Sequence, residues 1–369
     1  MDKVTLLQFI DKGISEINYQ LEFAKVCEAD ADLMNLYLDS IIAFTDIRNN
    51  VEIEDLSQNY LNQFQSDILI TLQNFEFRTE NSTRGFRLED KFLYKNTLDI
   101  RKKQIGDRLK ILKFNLDFFQ KLNYFNNNVV AIGANGSGKT TLSNNLKQYL
   151  PNNGVVISAQ RILVIPTFSG ISNILSTSEK LASTQSIDKT YKTTYSTENN
   201  GNSYTVLRNM GDEFKILLDN MLAERSVIRN KFCDDHSSGT RDAEVPITNL
   251  DTALKIWNFL IEHKTMECAD GINITLTNKG TDSYPAYQMS DGEKVTLYLI
   301  SQVLQAPKNG FVIVDEPEIY LHKTILNKLW DILEKERQDC IFIYLTHDLD
   351  FATTRTSAKK NLDKIIYIP

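Results

Sequence analysis

The sequence predicts an α/β fold with a mainly α-helical N-terminal region and an inserted helical lobe, and three features carry that prediction. The apolar run Val129-Val130-Ala131-Ile132 enters a glycine-rich turn and then the helical stretch Thr141 to Leu146. Two later apolar runs, Phe311 to Val314 and Ile341 to Leu345, each end in polar side chains, as buried strands do when they deliver residues to a site at a sheet edge. Before Pro151 there is no proline at all, so the first third of the chain lacks the strongest helix breaker.

In that first third, Ile10, Ile14, Ile17, Leu21 and Ala24 recur at helical spacing. Leu33, Leu36, Ile41, Phe44 and Ile47 form a looser second stripe, and Glu28-Ala29-Asp30-Ala31-Asp32 reads as the connector and cap between them. Ile68-Leu69-Ile70, the alternation in Phe75-Glu76-Phe77-Arg78-Thr79 and the turn residues Asn81 to Gly85 suggest a hairpin between Ile68 and Asp90. From Arg101 to Phe119 the pattern is helical again. Its Arg101, Lys102, Lys103, Arg108, Lys110 and Lys113 read either as a solvated face or as a local nucleic-acid-binding stripe.

The turn after Ile132 is Gly133-Ala134-Asn135-Gly136-Ser137-Gly138-Lys139-Thr140. Glycines at these positions let successive backbone N–H groups converge on phosphate oxygens at a helix N-terminus. Gly133, Asn135, Gly136, Ser137, Gly138, Lys139, Thr140 and Thr141 are therefore the candidate nucleotide-binding residues, with Lys139 on the terminal phosphates and the Thr140 hydroxyl on Mg²⁺. Val155-Val156-Ile157-Ser158 is the next strand. The stretch from Ser169 to Ser203, rich in Ser, Thr and Asn, supplies little core and reads as an exposed insertion. Helical pattern returns at Phe214 to Leu222 and Leu254 to Leu260, which makes 169–285 a lobe inserted in the core.

Phe311-Val312-Ile313-Val314-Asp315-Glu316 ends in two carboxylates, one suited to a Mg²⁺ shell (Asp315) and one to polarising an attacking water (Glu316). Met289-Ser290-Asp291-Gly292-Glu293-Lys294 opens the helical stretch Val295 to Leu304. Ser290 and Gly292 can meet a phosphate there, and Ser290 with Glu293 also fits a capping box. Ile341 to Leu345 delivers Thr346-His347-Asp348, with His347 placed to contact a γ-phosphate.

With these residues in order, the chain resembles the ABC-type P-loop ATPases of the SMC, RecF and OLD kind, and more narrowly the AAA-labelled ATPases of bacterial anti-phage systems. The matching parts are GANGSGKT at Gly133 to Thr140, MSDGEK at Met289 to Lys294, VIVDEPEIYLH ending at His322, and THD at Thr346 to Asp348. The resemblance implies a P-loop NTPase core over 124–369 behind a helical region over 1–123. It further implies ATP and Mg²⁺ as cofactors, Glu316 and His347 as catalytic residues, Thr140 and Asp315 as metal ligands, and Gln160 as the residue coupling Mg²⁺ to the lobe. Ser290 and Gly292 would face the nucleotide of a second copy, giving a homodimer or higher oligomer through a nucleotide sandwich. Two departures from transporter cassettes, Asp291 where they usually carry glycine and the wording Glu318-Ile319-Tyr320-Leu321-His322, fit the non-transporter branch.

The expected function is a dimeric switch ATPase of a prokaryotic defence system. Because the chain stops just after Ile365-Ile366-Tyr367, its effector would be a separate protein. The alternatives are a DNA-repair or chromosome-maintenance ATPase that clamps nucleic acid, and, less suited, a transporter cassette. A net charge of -7 over 369 residues confines any nucleic-acid contact to a local patch. No apolar run reaches the length of a membrane span and Met1-Asp2-Lys3-Val4 has no signal-peptide architecture, so a cytoplasmic protein without a membrane partner is expected. Cys27, Cys233, Cys268 and Cys340 form no CxxC pair, and the Cys233 to His236 spacing stands without a second ligand pair.

Overall fold

Helix α1 (Lys3–Val26) begins where the Asp2 carboxylate accepts the Thr5 N–H at 2.8 Å. Helix α2 (Ala31–Ile53) begins at Asp30, which takes the Leu33 N–H at 2.7 Å. Each cap satisfies one of the donors that a helix start leaves open. The structure is a computed structural model that describes residues 2–73, 91–134, 138–139, 142–143, 145–146, 150, 153–159, 163–185, 202–237, 244–278, 283–358 and 365–367. The chain divides into two compact units, Met1–Asn126 and Asn127–Pro369.

In the first unit, α1 and α2 bury Ile10, Ile17, Leu21 and Ala24 together with Leu33, Phe44 and Ile47. Helices α3 (Gln58–Leu72) and α4 (Lys91–Lys121) complete it among the described residues. The hairpin expected from Ile68 is corrected at its start. Ile68, Leu69 and Ile70 lie inside α3, where Phe64, Ile68 and Leu72 share a buried face at helical spacing, and that periodicity overrides the short β-prone run. Residues 74–90 lie outside the described part. Helix α4 stops through two left-handed residues, Asn123 at φ 50° and Tyr124 at φ 49°. That costly backbone is held by an edge-to-face cluster of Tyr60, Phe64, Phe119 and Tyr124. On α4, Lys102 pairs with Asp30 at 3.0 Å and Asp32 at 2.8 Å, and Lys113 with Asp39 at 2.8 Å. Those two cations are thus engaged with carboxylates of the same unit, which fits the solvated-face reading of the basic stripe.

Asp67 is buried between α3 and α4, where Gln63 Nε2 donates to it at 2.8 Å and Asn115 Nδ2 at 3.1 and 3.2 Å. Burial pushes its carboxyl from 3.8 up to about 7, against the lowering effect of those two amides. Between the unfolded and folded values the folded state keeps a proton that the unfolded chain has released. Stability therefore falls as pH rises from about 4 to about 7, by at most about 1.4 kcal/mol per unit, and then levels off. Asp67→Asn, which mimics the neutral acid, is expected to flatten this dependence in thermal melts between pH 5 and 8. A slope unchanged by the substitution would contradict the assignment.

Among the described residues the second unit is built on a five-stranded parallel sheet. Its strands are β1 (Val129–Ile132), β2 (Gly154–Ile157), β6 (Phe311–Asp315), β7 (Ile341–Thr346) and β8 (Ile365–Tyr367), in spatial order β2-β6-β7-β1-β8. A second, antiparallel sheet consists of β3 (Lys264–Glu267), β4 (Thr275–Asn278) and β5 (Ser283–Pro285). It lies in the stretch expected as a helical lobe over 169–285. The exposed insertion expected from Ser169 contains helix α5 (Ile174–Gln185), while 186–201 fall outside the described residues.

Helices α6 (Asn202–Ser237), α7 (Asn249–Leu260), α8 (Asp291–Leu304), α9 (Lys323–Glu336) and α10 (Leu349–Ala358) follow along the chain among the described residues. One hydrophobic core joins Phe214 of α6, Trp257 of α7, Leu276 of β4 and Trp330 of α9 to Val312 and Phe342 of the parallel sheet. The inserted segment therefore shares its interior with the sheet, and each large side chain so buried contributes about 1.5–3 kcal/mol of transfer free energy. Entry to β6 demands a glycine: a Cβ on Gly310 would stand 2.6 Å from the Asn153 carbonyl oxygen and 2.8 Å from that of Pro307. Among the described residues no helix is long and apolar enough to cross a membrane.

Candidate functional site

Parallel pairing aligns Ile132 of β1 with Thr346 of β7, and Leu345 of β7 with Asp315 of β6. Three strands thus end side by side, and the segments that leave them meet at one edge of the sheet, where open α/β sheets bind ligands. The phosphate loop continues the ladder, with Gly133 N–H donating to Thr346 O at 3.1 Å. Gly138 sits at φ +87°, a left-handed conformation that favours glycine, and its carbonyl accepts the Leu142 N–H at 2.8 Å as the helix begins.

Lys139 is buried, and its ammonium donates to the carbonyls of Gly133 at 2.6 Å and Ala134 at 3.1 Å. The same Nζ lies 3.8 Å from Glu316 Oε1. One helical turn beyond Lys139, Ser143 Oγ donates to Asp315 Oδ2 at 3.3 Å, and Asp315 is wholly buried at the end of β6. A carboxylate facing the loop helix, with a hydroxyl beside it, is a hard oxygen donor set of the kind Mg²⁺ takes, so the residues present fit the metal. Asn135, Gly136, Ser137, Thr140, Thr141 and Gln160 lie outside the described residues.

After Asp315 the chain turns sharply. Glu316 adopts φ 51°, rare for a residue with a side chain, while its N–H still bonds Leu345 O at 2.9 Å. His347 Nδ1 is 2.5 Å from Glu316 Oε2 and 3.5 Å from Glu318 Oε1. Glu318 in turn accepts from Thr346 Oγ1 at 2.8 Å, and that oxygen accepts the Asp348 N–H at 2.9 Å. Burial and the neighbouring Glu316 carboxyl push Glu318 up to about 7, against the Thr346 bond.

Lys139, Asp315, Glu316 and His347 are therefore brought together around the end of the phosphate loop. Together they supply a cation for phosphates, a buried carboxylate for a metal, and a carboxylate and an imidazole able to contact water and phosphate. Taken with the strand order and the loop sequence, this decides the fold. The core has the parallel-sheet fold of a P-loop NTPase. Residues 170–351 match the family described as "AAA domain, putative AbiEii toxin, Type IV TA system", a span that begins beyond the phosphate loop and includes the Ser290, Asp315 and His347 segments.

Among solved structures, the chain is similar to an SMC head bound to the C-terminal winged-helix domain of ScpA. That match has 14% identity, covers 66% of this chain and 87% of that one, and has a TM-score of 0.34. It is also similar to an SMC head with an extended coiled coil bound to the C-terminal domain of ScpA from Pyrococcus furiosus, at 18% identity over 53% of this chain and 48% of that one, with a TM-score of 0.25. No curated protein matches the sequence.

Ser290 and Gly292 lie in a second group. Ser290 is the N-cap of α8, and its N–H donates to Glu293 at 2.9 Å, the backbone half of the capping box. Burial acts to raise the Glu293 carboxyl, but the Lys264 ammonium at 2.7 Å and the Ser290 N–H outweigh it and hold the group below its usual value. Trp257 Nε1 donates to Glu293 O at 3.3 Å, which ties α7 of the inserted segment to the start of α8. Beside this helix start opens a cavity of about 600 Å³, lined by Ser290, Gly292, His263, Tyr320 and His322 among others, with none of the described phosphate-loop residues in its wall.

Ser143, Glu318 and Thr346 were given no role of their own from sequence. Ser143 carries a signal, four positions after Lys139 and so on the same helix face. Glu318 repeats the carboxylate two positions after Glu316. Thr346 opens the Thr346-His347-Asp348 motif.

Proposed function

We propose that the chain is an ATP-binding and ATP-hydrolysing switch that works as a homodimer and regulates a separate effector in a prokaryotic anti-phage defence system. The observation that carries the chemistry is the meeting of Lys139, Glu316 and His347 at the end of one sheet, with Lys139 Nζ 3.8 Å from Glu316 Oε1 and His347 Nδ1 2.5 Å from Glu316 Oε2. In this reading the loop N–H groups and Lys139 bind the phosphates, and His347 contacts the γ-phosphate. Glu316 orients and polarises the attacking water. Thr140 and Asp315 would hold Mg²⁺, which when bound neutralises charge on the phosphate oxygens. The defence setting is supported by the resemblance of the motifs and by the family description, which names a toxin of a type IV toxin-antitoxin system.

The dimer is inferred from the second group. Ser290 and Gly292 stand at a helix start suited to phosphate, yet they line a cavity whose wall includes none of the described phosphate-loop residues Gly133, Ala134, Gly138 and Lys139. A nucleotide on the loop of one copy would be completed by Ser290 and Gly292 of another, so one chain alone is half an enzyme.

The test mixes two inactive variants. Ser290→Arg places a bulky cation where the second copy's phosphate would sit, and Lys139→Ala empties the loop. In a mixed dimer both lesions fall in one composite site and the other site is intact. If chains exchange freely and sites act independently, the equimolar mixture regains about a quarter of wild-type turnover. No recovery, with exchange confirmed by differently tagged chains, would contradict the shared site.

A further inference from the structure

Glu318 has no part in the hydrolysis chemistry assigned to Lys139, Glu316 and His347, yet it is built firmly into the same site. It stands two residues beyond Glu316, and the left-handed turn at Glu316, φ 51°, brings the next segment back against the end of β7. There the Thr346 hydroxyl donates to Glu318 Oε1 at 2.8 Å, while the same hydroxyl oxygen takes the Asp348 N–H at 2.9 Å. Thr346 is fully buried, so this anchor is rigid. One oxygen from each glutamate and a ring nitrogen of His347 all lie within 4.8 Å of one another. The imidazole thus faces two carboxylates, Glu316 at 2.5 Å and Glu318 at 3.5 Å.

Two carboxylates at such separation repel unless a proton or a donor lies between them, and a proton on His347 Nδ1 would bond Glu316 while facing Glu318 3.5 Å away. A ring whose Nδ1 carries the proton presents Nε2 as its free face. An orienting carboxylate behind an imidazole is the arrangement by which a third group fixes tautomer and ring angle in nucleophile-base-orienter sets.

We infer that Glu318, anchored by Thr346, is a positioning residue that holds the His347 ring and through it the Glu316 carboxylate in the geometry needed for ATP hydrolysis. This rests on the hydrolysis reading, since it concerns the same site. Glu318 is not a catalytic residue: it acts only through His347.

The experiment measures single-turnover ATP hydrolysis and ATP affinity for Glu318→Ala, Glu318→Gln and Thr346→Val, with melting temperatures as a folding check. Each is made in wild-type and His347→Ala backgrounds. Glu318→Ala is expected to slow hydrolysis about 10–100-fold with ATP affinity changed less than about threefold, a size taken from outer partners of metal-ligating histidines. Glu318→Gln keeps the side-chain shape and an acceptor for Thr346, so it folds if any variant does, and it is expected to slow hydrolysis by a smaller factor. In the His347→Ala background the loss from either Glu318 substitution is expected to shrink to less than about twofold, which a merely structural role would not produce. Glu318 variants within twofold of wild type, or a loss undiminished without His347, overturn this inference alone. A wild-type protein without turnover, or Glu316→Gln that keeps it, overturns the hydrolysis reading and this inference with it.

Discussion

Glu316→Gln is expected to lower ATP turnover by about 10²–10⁴-fold while leaving ATP affinity within a few-fold of wild type. Glutamine keeps the length of the side chain and one carbonyl oxygen for His347, so the φ 51° turn and the 2.9 Å bond from its N–H to Leu345 O need not change. What is lost is the anion that polarises water. The change also removes the negative partner 3.8 Å from Lys139 Nζ, which frees that ammonium for phosphate and works against any fall in affinity. Steady-state phosphate release and equilibrium binding of a fluorescent ATP analogue separate the two effects. A variant with turnover within tenfold of wild type would remove Glu316 from its role.

Lys139→Ala is expected to act the other way round, on binding before turnover. The ammonium is buried and is gathered towards the loop by the Gly133 and Ala134 carbonyls at 2.6 and 3.1 Å. Bound phosphate would replace one of these neutral acceptors with a charged one, and a charge-assisted hydrogen bond contributes about 1.5–3 kcal/mol. Losing one or two of them weakens ATP binding by about 10²-fold or more, since each 1.4 kcal/mol is tenfold. Calorimetric titration that returns the wild-type affinity for this variant would sink the phosphate-loop assignment.

Most of this site could be read from the chain because its parts are tethered to apolar runs. Asp315 and His347 sit at the ends of strands whose burial is plain in sequence, and parallel pairing then places those ends together. The capping pair Ser290 and Glu293 was legible for a similar reason, being local in sequence. Glu318 was not, because its place depends on one left-handed residue upstream that no composition announces. Nor was the antiparallel sheet, whose strands are three or four residues long and half polar, as in Lys264–Glu267 and Thr275–Asn278. At Ile68 a short β-prone run misled, since the helical spacing of Phe64, Ile68 and Leu72 decides packing over a longer window. The tie from Trp257 to the start of α8 joins residues 36 apart and has no sequence signature.

The claim that ATP joins two copies of this chain through Lys139 of one and Ser290 of the other is tested most directly by mass. Glu316→Gln, which binds ATP but turns it over slowly, is passed through gel filtration with in-line light scattering, with and without ATP and Mg²⁺. The account predicts a dimer of the 42.3 kDa chain with ATP and Mg²⁺ that Ser290→Arg added to the same protein abolishes. A strictly monomeric mass at saturating ATP would contradict it.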